Sequence, residues 1–173
     1  MNFILKYQAP IAEKFGLVCY GCCEGLHLGI DNILKVMPNI RRVSVSPWAD
    51  QELMAATLGN KYVFSRKPNP SQIAVQFNEK AVREDIKTTL NTAGKLPLEI
   101  IMKDLHTIQN DLTRITRWVN IAREELTKFK RKGQSLRDCP FFLQLTTMKI
   151  NVIILKIHLR GENYAKNSTF SRC

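Results

Sequence analysis

The chain has no run of apolar residues approaching the roughly 20 that a membrane-spanning helix needs, and its first residues lack the basic, apolar, small-residue order of a signal peptide. The expectation is a cytoplasmic protein with no membrane partner. Cysteine is sparse and crowded: three of five fall at Cys19, Cys22 and Cys23. That is unlike the spaced framework of a secreted disulfide scaffold and fits a reducing compartment. No Gly-x-Ser-x-Gly occurs and the three histidines are scattered, so a Ser-His-Asp mechanism has no support. No glycine-rich phosphate fingerprint follows any strand-like segment, which removes the best argument for a dinucleotide-binding sheet. Acidic residues are scarce, 15 against 26 Lys and Arg, for a net charge of +11. Residues 1–130 carry 18 basic and 13 acidic side chains and residues 131–173 carry 8 and 2. About half the excess therefore sits in the last quarter, and nucleic acid is not the expected partner, because a basic tail outside the main fold needs none.

What is present is a soluble composition, 45% hydrophobic and 24% charged, and a repeating pattern. Residues 3–15 read as the end of a helix with Pro10 as a kink or restart and Gly16 closing it. Leu17 to Tyr20 read as a strand leading into Gly21-Cys22-Cys23-Glu24-Gly25, and Ile30, Ile33, Leu34 and Met37 recur at helical spacing behind Asp31. A second unit has a β-branched strand from Ile40 to Ser46, a Pro47-Trp48-Ala49 loop and a helix capped by Asp50 and ended by Gly59-Asn60. The third has a strand from Tyr62 to Ser65, the loop Arg66-Lys67-Pro68-Asn69-Pro70 and a helix over 79–91. The fourth has a strand from Leu98 to Met102, a loop from Lys103 to Asn110 and a helix over 112–129 with Ile115, Trp118, Val119, Ala122 and Leu126 inward.

Four β/α units imply parallel strands with helical crossovers. The expected class is α/β, as an open sheet or as part of a (β/α)8 TIM barrel, whose full form takes about 250 residues. Residues 1–130 form that part. Residues 131–173 form a basic tail in which Cys139 to Leu145 and Met148 to Leu159 are apolar and β-prone. The tail reads as a terminal strand with an irregular end or, the favoured reading, as a segment not native to the parent domain, as when a reading frame is shifted.

Phe15-Gly16-Leu17 with Tyr20-Gly21-Cys22-Cys23-Glu24, then the phrases from Arg41 to Asp50 and from Lys61 to Pro70, then Ile101-Met102-Lys103-Asp104, occur in that order. Together they resemble the C-terminal half of uncharacterised bacterial members of the uroporphyrinogen decarboxylase and corrinoid methyltransferase superfamily, over about residues 1–129. The resemblance implies half of a (β/α)8 barrel with its site at the carboxyl ends of the strands, acting on a methyl or carboxyl group and inactive alone. In the methyltransferase branch it implies zinc held by a His-x-Cys pair and a later Cys, a corrinoid as cofactor or substrate, and a corrinoid protein or small molecule as partner. Here Tyr20-Gly21-Cys22 supplies the cysteine without the histidine, and Lys103-Asp104-Leu105-His106 stands where the later cysteine would be. Cys22 and His106 are the candidate metal ligands, with Glu24 or Asp104 as a third.

Lys103, Asp104 and Glu24 are the candidate catalytic residues, through proton transfer or the binding of an anion. Trp48, Arg66, Lys67 and Asn69, at two further strand ends, are the candidate substrate-binding residues. Of the adjacent pair Cys22 and Cys23, one is expected to face the core. His27 is expected to have a surface or capping role. Exposed strand edges also make a homodimer an expected partner state, and a metal- or anion-binding module that works through another chain is the alternative function.

Overall fold

The computed structural model describes residues 2–103, 105–131, 142–147 and 153–158. Helix α1 (Asn2–Ala12) buries Leu5, Ala9 and Ala12, one stripe at helical spacing, and tolerates Pro10 in its last turn. It ends four residues before Gly16, which does not take the left-handed conformation of a closing glycine; among the described glycines only Gly59 has a positive φ. The closure comes from elsewhere. Asn39 Nδ2 donates to the carbonyls of Ala12 at 2.7 Å and Phe15 at 2.8 Å, satisfying acceptors that a helix end leaves open.

Strand β1 (Val18–Tyr20), a short 3-10 turn and α2 (Ile30–Val36) make the first unit. Strand β2 (Ile40–Val45) and α3 (Gln51–Leu58) make the second. Asp50 caps α3 as its position predicts: its Oδ1 accepts from the amides of Glu52 and Leu53, and Gly59 ends the helix. Strand β3 (Val63–Arg66) runs into a single turn, α4 (Ser71–Ala74), that periodicity does not reveal, and then into α5 (Glu79–Ala93). Strand β4 (Leu98–Ile101) and α6 (Thr113–Arg131) complete the fourth unit.

The four strands are parallel and lie side by side in chain order. Two further strands, β5 (Phe142–Thr147) and β6 (Ile153–His158), pair antiparallel with each other, and β6 pairs antiparallel with β4. The sheet thus reads β1-β2-β3-β4-β6-β5, and β6 occupies the β4 edge that the four parallel strands alone would leave exposed.

Register decides which side chains share a face. Val43, Phe64 and Leu98 stand in one row, and Val45, Arg66 and Ile100 in the next. Apart from Arg66 these side chains belong to one core with Ile33 of α2, Met54 and Leu58 of α3, Ile86 and Leu90 of α5, and Trp118 and Val119 of α6. The helices also neighbour one another in chain order, α1 on α2, α2 on α3, α3 on α5 and α5 on α6. One helical layer on one side of a sequentially ordered parallel sheet is what successive right-handed crossovers build. The opposite face carries Cys19 beside Arg42, and Ser44, Ser65 and Glu99 in one row. A parallel sheet covered on both sides reads as continuous apolar runs; here the strands alternate, so only one face is built for an apolar core.

Candidate active site on the polar sheet face

At the carboxyl ends of β3 and β4 the polar face holds a connected chain of groups. Lys67 follows the last residue of β3, and its amide donates to the Val45 carbonyl at 2.8 Å, so the ladder to β2 continues through it. Alternation then sends its side chain to the same face as Ser65. Lys67 Nζ donates to Ser65 Oγ at 2.8 Å, Ser65 Oγ donates to Glu99 Oε2 at 2.8 Å, and Arg42 Nε lies 3.3 Å from the same oxygen. Ser65 and Glu99 are buried, 0% and 2% exposed, while Lys67 is half-buried and the Arg42 side chain is 31% exposed. The chain therefore runs from a sealed carboxylate outward to two cations that solvent can reach.

The electrostatics follow from that burial. Desolvation is the largest influence on Lys67 and pulls its ammonium down to about 8; Arg42 and Lys103 push the same way, while Glu99 and Cys19 oppose them. Arg42, Lys67 and Lys103 outnumber Glu99, so the face favours an anion.

The residues expected from sequence fall into three groups. Lys67 and Lys103 lie within electrostatic reach of each other, with Lys103 exposed just past β4, and Asp104 lies outside the described residues. Arg66 is corrected from a loop residue receiving substrate to a buried one. It ends β3 on the helix side, 3% exposed, with NH1 on the Ser46 carbonyl at 2.6 Å and NH2 on Asp85 Oδ1 of α5 at 2.8 Å. Asn69 accepts the Ser71 amide at 3.0 Å, an ordinary turn bond at the entry to α4.

The others stand apart from that network. Trp48 is 69% exposed, and Glu24 is exposed, with its backbone carbonyl accepting from Ser46 Oγ at 2.8 Å. Cys19, Cys22 and Cys23 are all exposed, so neither member of the Cys22 and Cys23 pair faces the core as expected. The strand ends at Tyr20, and beyond it the alternation that would bury one of them no longer applies. His27 accepts the Asp50 amide on Nδ1 at 3.1 Å, a tie to the start of α3, 23 residues along the chain, and not a cap on the helix that follows it. Trp118 is core, 1% exposed.

Cys22 and His106 are both exposed, and among the described residues, which leave out the candidate third ligand Asp104, no three of His, Cys, Asp and Glu stand close enough together to hold a metal ion. Tyr20 turns to the helix layer and donates to Gln8 Oε1 of α1 at 3.2 Å; its phenol is raised above its ordinary range, by burial first and by the nearby Cys22 second.

Sequence reasoning misses Arg42, Ser65 and Glu99 as site residues, although the chain carries their signal. Arg42-Val43-Ser44-Val45-Ser46 alternates strictly, and Glu99 is the single charge inside the apolar strand Leu98-Glu99-Ile100-Ile101. In a parallel sheet such a pattern marks a face that does something other than pack against helices. No protein-family model, no curated protein and no solved structure matches the chain.

Proposed function

We propose that this chain is the C-terminal half of a (β/α)8-barrel enzyme similar to the uroporphyrinogen decarboxylase and corrinoid methyltransferase superfamily, and that its polar sheet face binds a small carboxylated substrate. The observation that carries the reading is the Lys67–Ser65–Glu99–Arg42 chain at the carboxyl ends of parallel strands, on the face the helices leave uncovered. Barrel enzymes place their chemistry at that end of their strands. The sequential strand order with one helical layer is the arrangement that four of eight barrel units would have, which supports the barrel over a doubly wound sheet.

Of the two reactions the resemblance implies, loss of a carboxyl group suits this face better than zinc-dependent methyl transfer. A guanidinium carries five N–H donors, and Arg42 spends Nε on Glu99, so its remaining donors can take a carboxylate in the fork geometry that group favours. Lys67, titrating near neutrality, can give a proton to the carbon that CO2 leaves. The second reading, an anion-binding module acting with another chain, uses the same face without turnover.

Calorimetric titration with citrate tests the site. Binding that weakens at least tenfold in both Lys67→Met and Arg42→Met, and is unchanged in Lys35→Met on the exposed side of α2, is the expected result. Citrate that binds equally well to all four proteins would place its affinity in general basicity and defeat the proposal.

A further inference from the structure

We propose that Lys67 is a carbonyl-condensing amine: it forms an imine with a small 2-oxo acid whose carboxylate Arg42 receives, while Ser65 and Glu99 relay the protons. This deepens the reading of the polar face as a substrate site and rests on it.

An amine that attacks a carbonyl needs a free lone pair, a fixed direction of approach and a group that takes its protons away. The geometry supplies each. Lys67 extends from a residue whose amide is fixed in the sheet ladder, and its Nζ is held by Ser65 Oγ at 2.8 Å. A neutral amine keeps that hydrogen bond through one N–H and leaves its lone pair available. Ser65 Oγ accepts from the amine while donating to Glu99 Oε2 at 2.8 Å, which makes the hydroxyl a two-way link between nitrogen and carboxylate. Arg42, on the far side of the same carboxylate, is placed to hold the acid group of a substrate whose carbonyl lies over Lys67.

The step balances without an oxidant or a second reactant. The nitrogen lone pair forms the N–C bond and the carbonyl π pair moves to oxygen. One proton leaves nitrogen for Glu99 by way of the Ser65 hydroxyl and returns by way of the same hydroxyl to that oxygen, giving the carbinolamine. The second nitrogen proton follows, the C–O bond breaks, and water leaves behind the C=N bond. Where the 2-oxo acid carries a second carboxylate in the β position to the C=N bond, that bond takes up the electron pair that CO2 leaves and becomes an enamine, which connects the condensation to the proposed decarboxylation.

The groups facing the amine set its working range. Glu99 of β4 and Cys19 of β1 favour the ammonium; burial, Arg42 of β2 and Lys103 beyond β4 disfavour it more, and the balance lies at about 8. Roughly a tenth of Lys67 is then neutral at pH 7, against well under a thousandth of an ordinary lysine of pKa about 10.4. The difference is large enough to select one lysine.

The test is reductive trapping: the chain is incubated with pyruvate and cyanoborohydride from pH 6 to 9, and adducts are mapped by peptide mass spectrometry. The expected result is one dominant adduct on Lys67, at least tenfold above any other lysine, with a rate that rises through pH of about 8 and falls about tenfold in Ser65→Ala. Adducts spread evenly over the lysines, or none, overturn the imine. Citrate, which has no ketone, separates the two proposals: if it still binds in the manner described above, the substrate face stands and only the condensation fails. If citrate binding is also absent, the reading of the face fails with it.

Discussion

Arg66 and Asp85 form an ion pair at 2.8 Å between the end of β3 and α5, with side chains 4% and 16% exposed. Their geometry is incomplete, for Arg66 Nε and Asp85 Oδ2 have no hydrogen-bond partner among the described residues. A buried pair of this kind contributes little net stability, but removing one member strands the other charge. Asp85→Ala should therefore cost about 3 kcal/mol in urea unfolding, whereas an Arg66→Met, Asp85→Leu double variant should return close to the parent. A small loss in the single variant would show that the guanidinium finds water. The pair also explains why this part of the site is hard to read. Arg66-Lys67-Pro68-Asn69-Pro70 has the composition of an exit loop, which makes both cations look like substrate ligands. The strand in fact runs through Arg66, and its period of two sends Arg66 to the helices and Lys67 to the polar face. One residue of error in a strand end exchanges a cation packed against the helices for one on the polar face.

Among the elements, the helices are the most legible, because a stripe such as Trp118, Val119, Ala122 and Leu126 shows at a glance, and all four are buried. Caps are legible too, as Asp50 shows. The short α4 is not, since four residues cannot display a period. The alternation of β2 is visible but its meaning depends on neighbours: Ser65 and Glu99 become partners only when β3 and β4 come into register, 34 residues apart in the chain. The contact between α5 and α6 depends on a similarly small feature. A Cβ placed on Gly94 would fall 2.2 Å from the Leu90 carbonyl oxygen and 2.6 Å from the Phe129 ring. The phenyl ring can yield, but the helix backbone cannot. Gly94→Ala should lower stability by about 2 kcal/mol, read as a lower urea midpoint with an unchanged slope; a midpoint equal to the parent's would mean that the last turn of α5 opens freely to make room.

At the scale of the whole molecule, no strand among the described residues pairs with the outer edge of β1, and apolar side chains stand exposed near it. Phe3, Ile4, Tyr7 and Ile11 of α1, with Phe15 and Leu17 beyond it, are each more than half exposed. If the chain is half of a barrel, this flank is where the rest of the barrel or a second copy would lie. Light scattering on the purified chain should then show a mass that rises with concentration, and Cys19→Lys, which puts a charge on the edge strand, should lower it. A monomer at every concentration would count against the half-barrel. The composition makes the four units legible, but not what closes the sheet, because that is decided by contacts between distant segments and leaves no local period.

The strand order has one more consequence. Each strand of the parallel core pairs with the one synthesised just before it, separated only by its own crossover. Such a molecule can be assembled in the order in which the ribosome delivers it, every unit docking on a finished edge and presenting a new one. By the same logic a gene could have lengthened it by duplicating a unit. Growth of that kind would leave the apolar layer continuous and lengthen each row of the polar face by one residue, where new chemistry could begin.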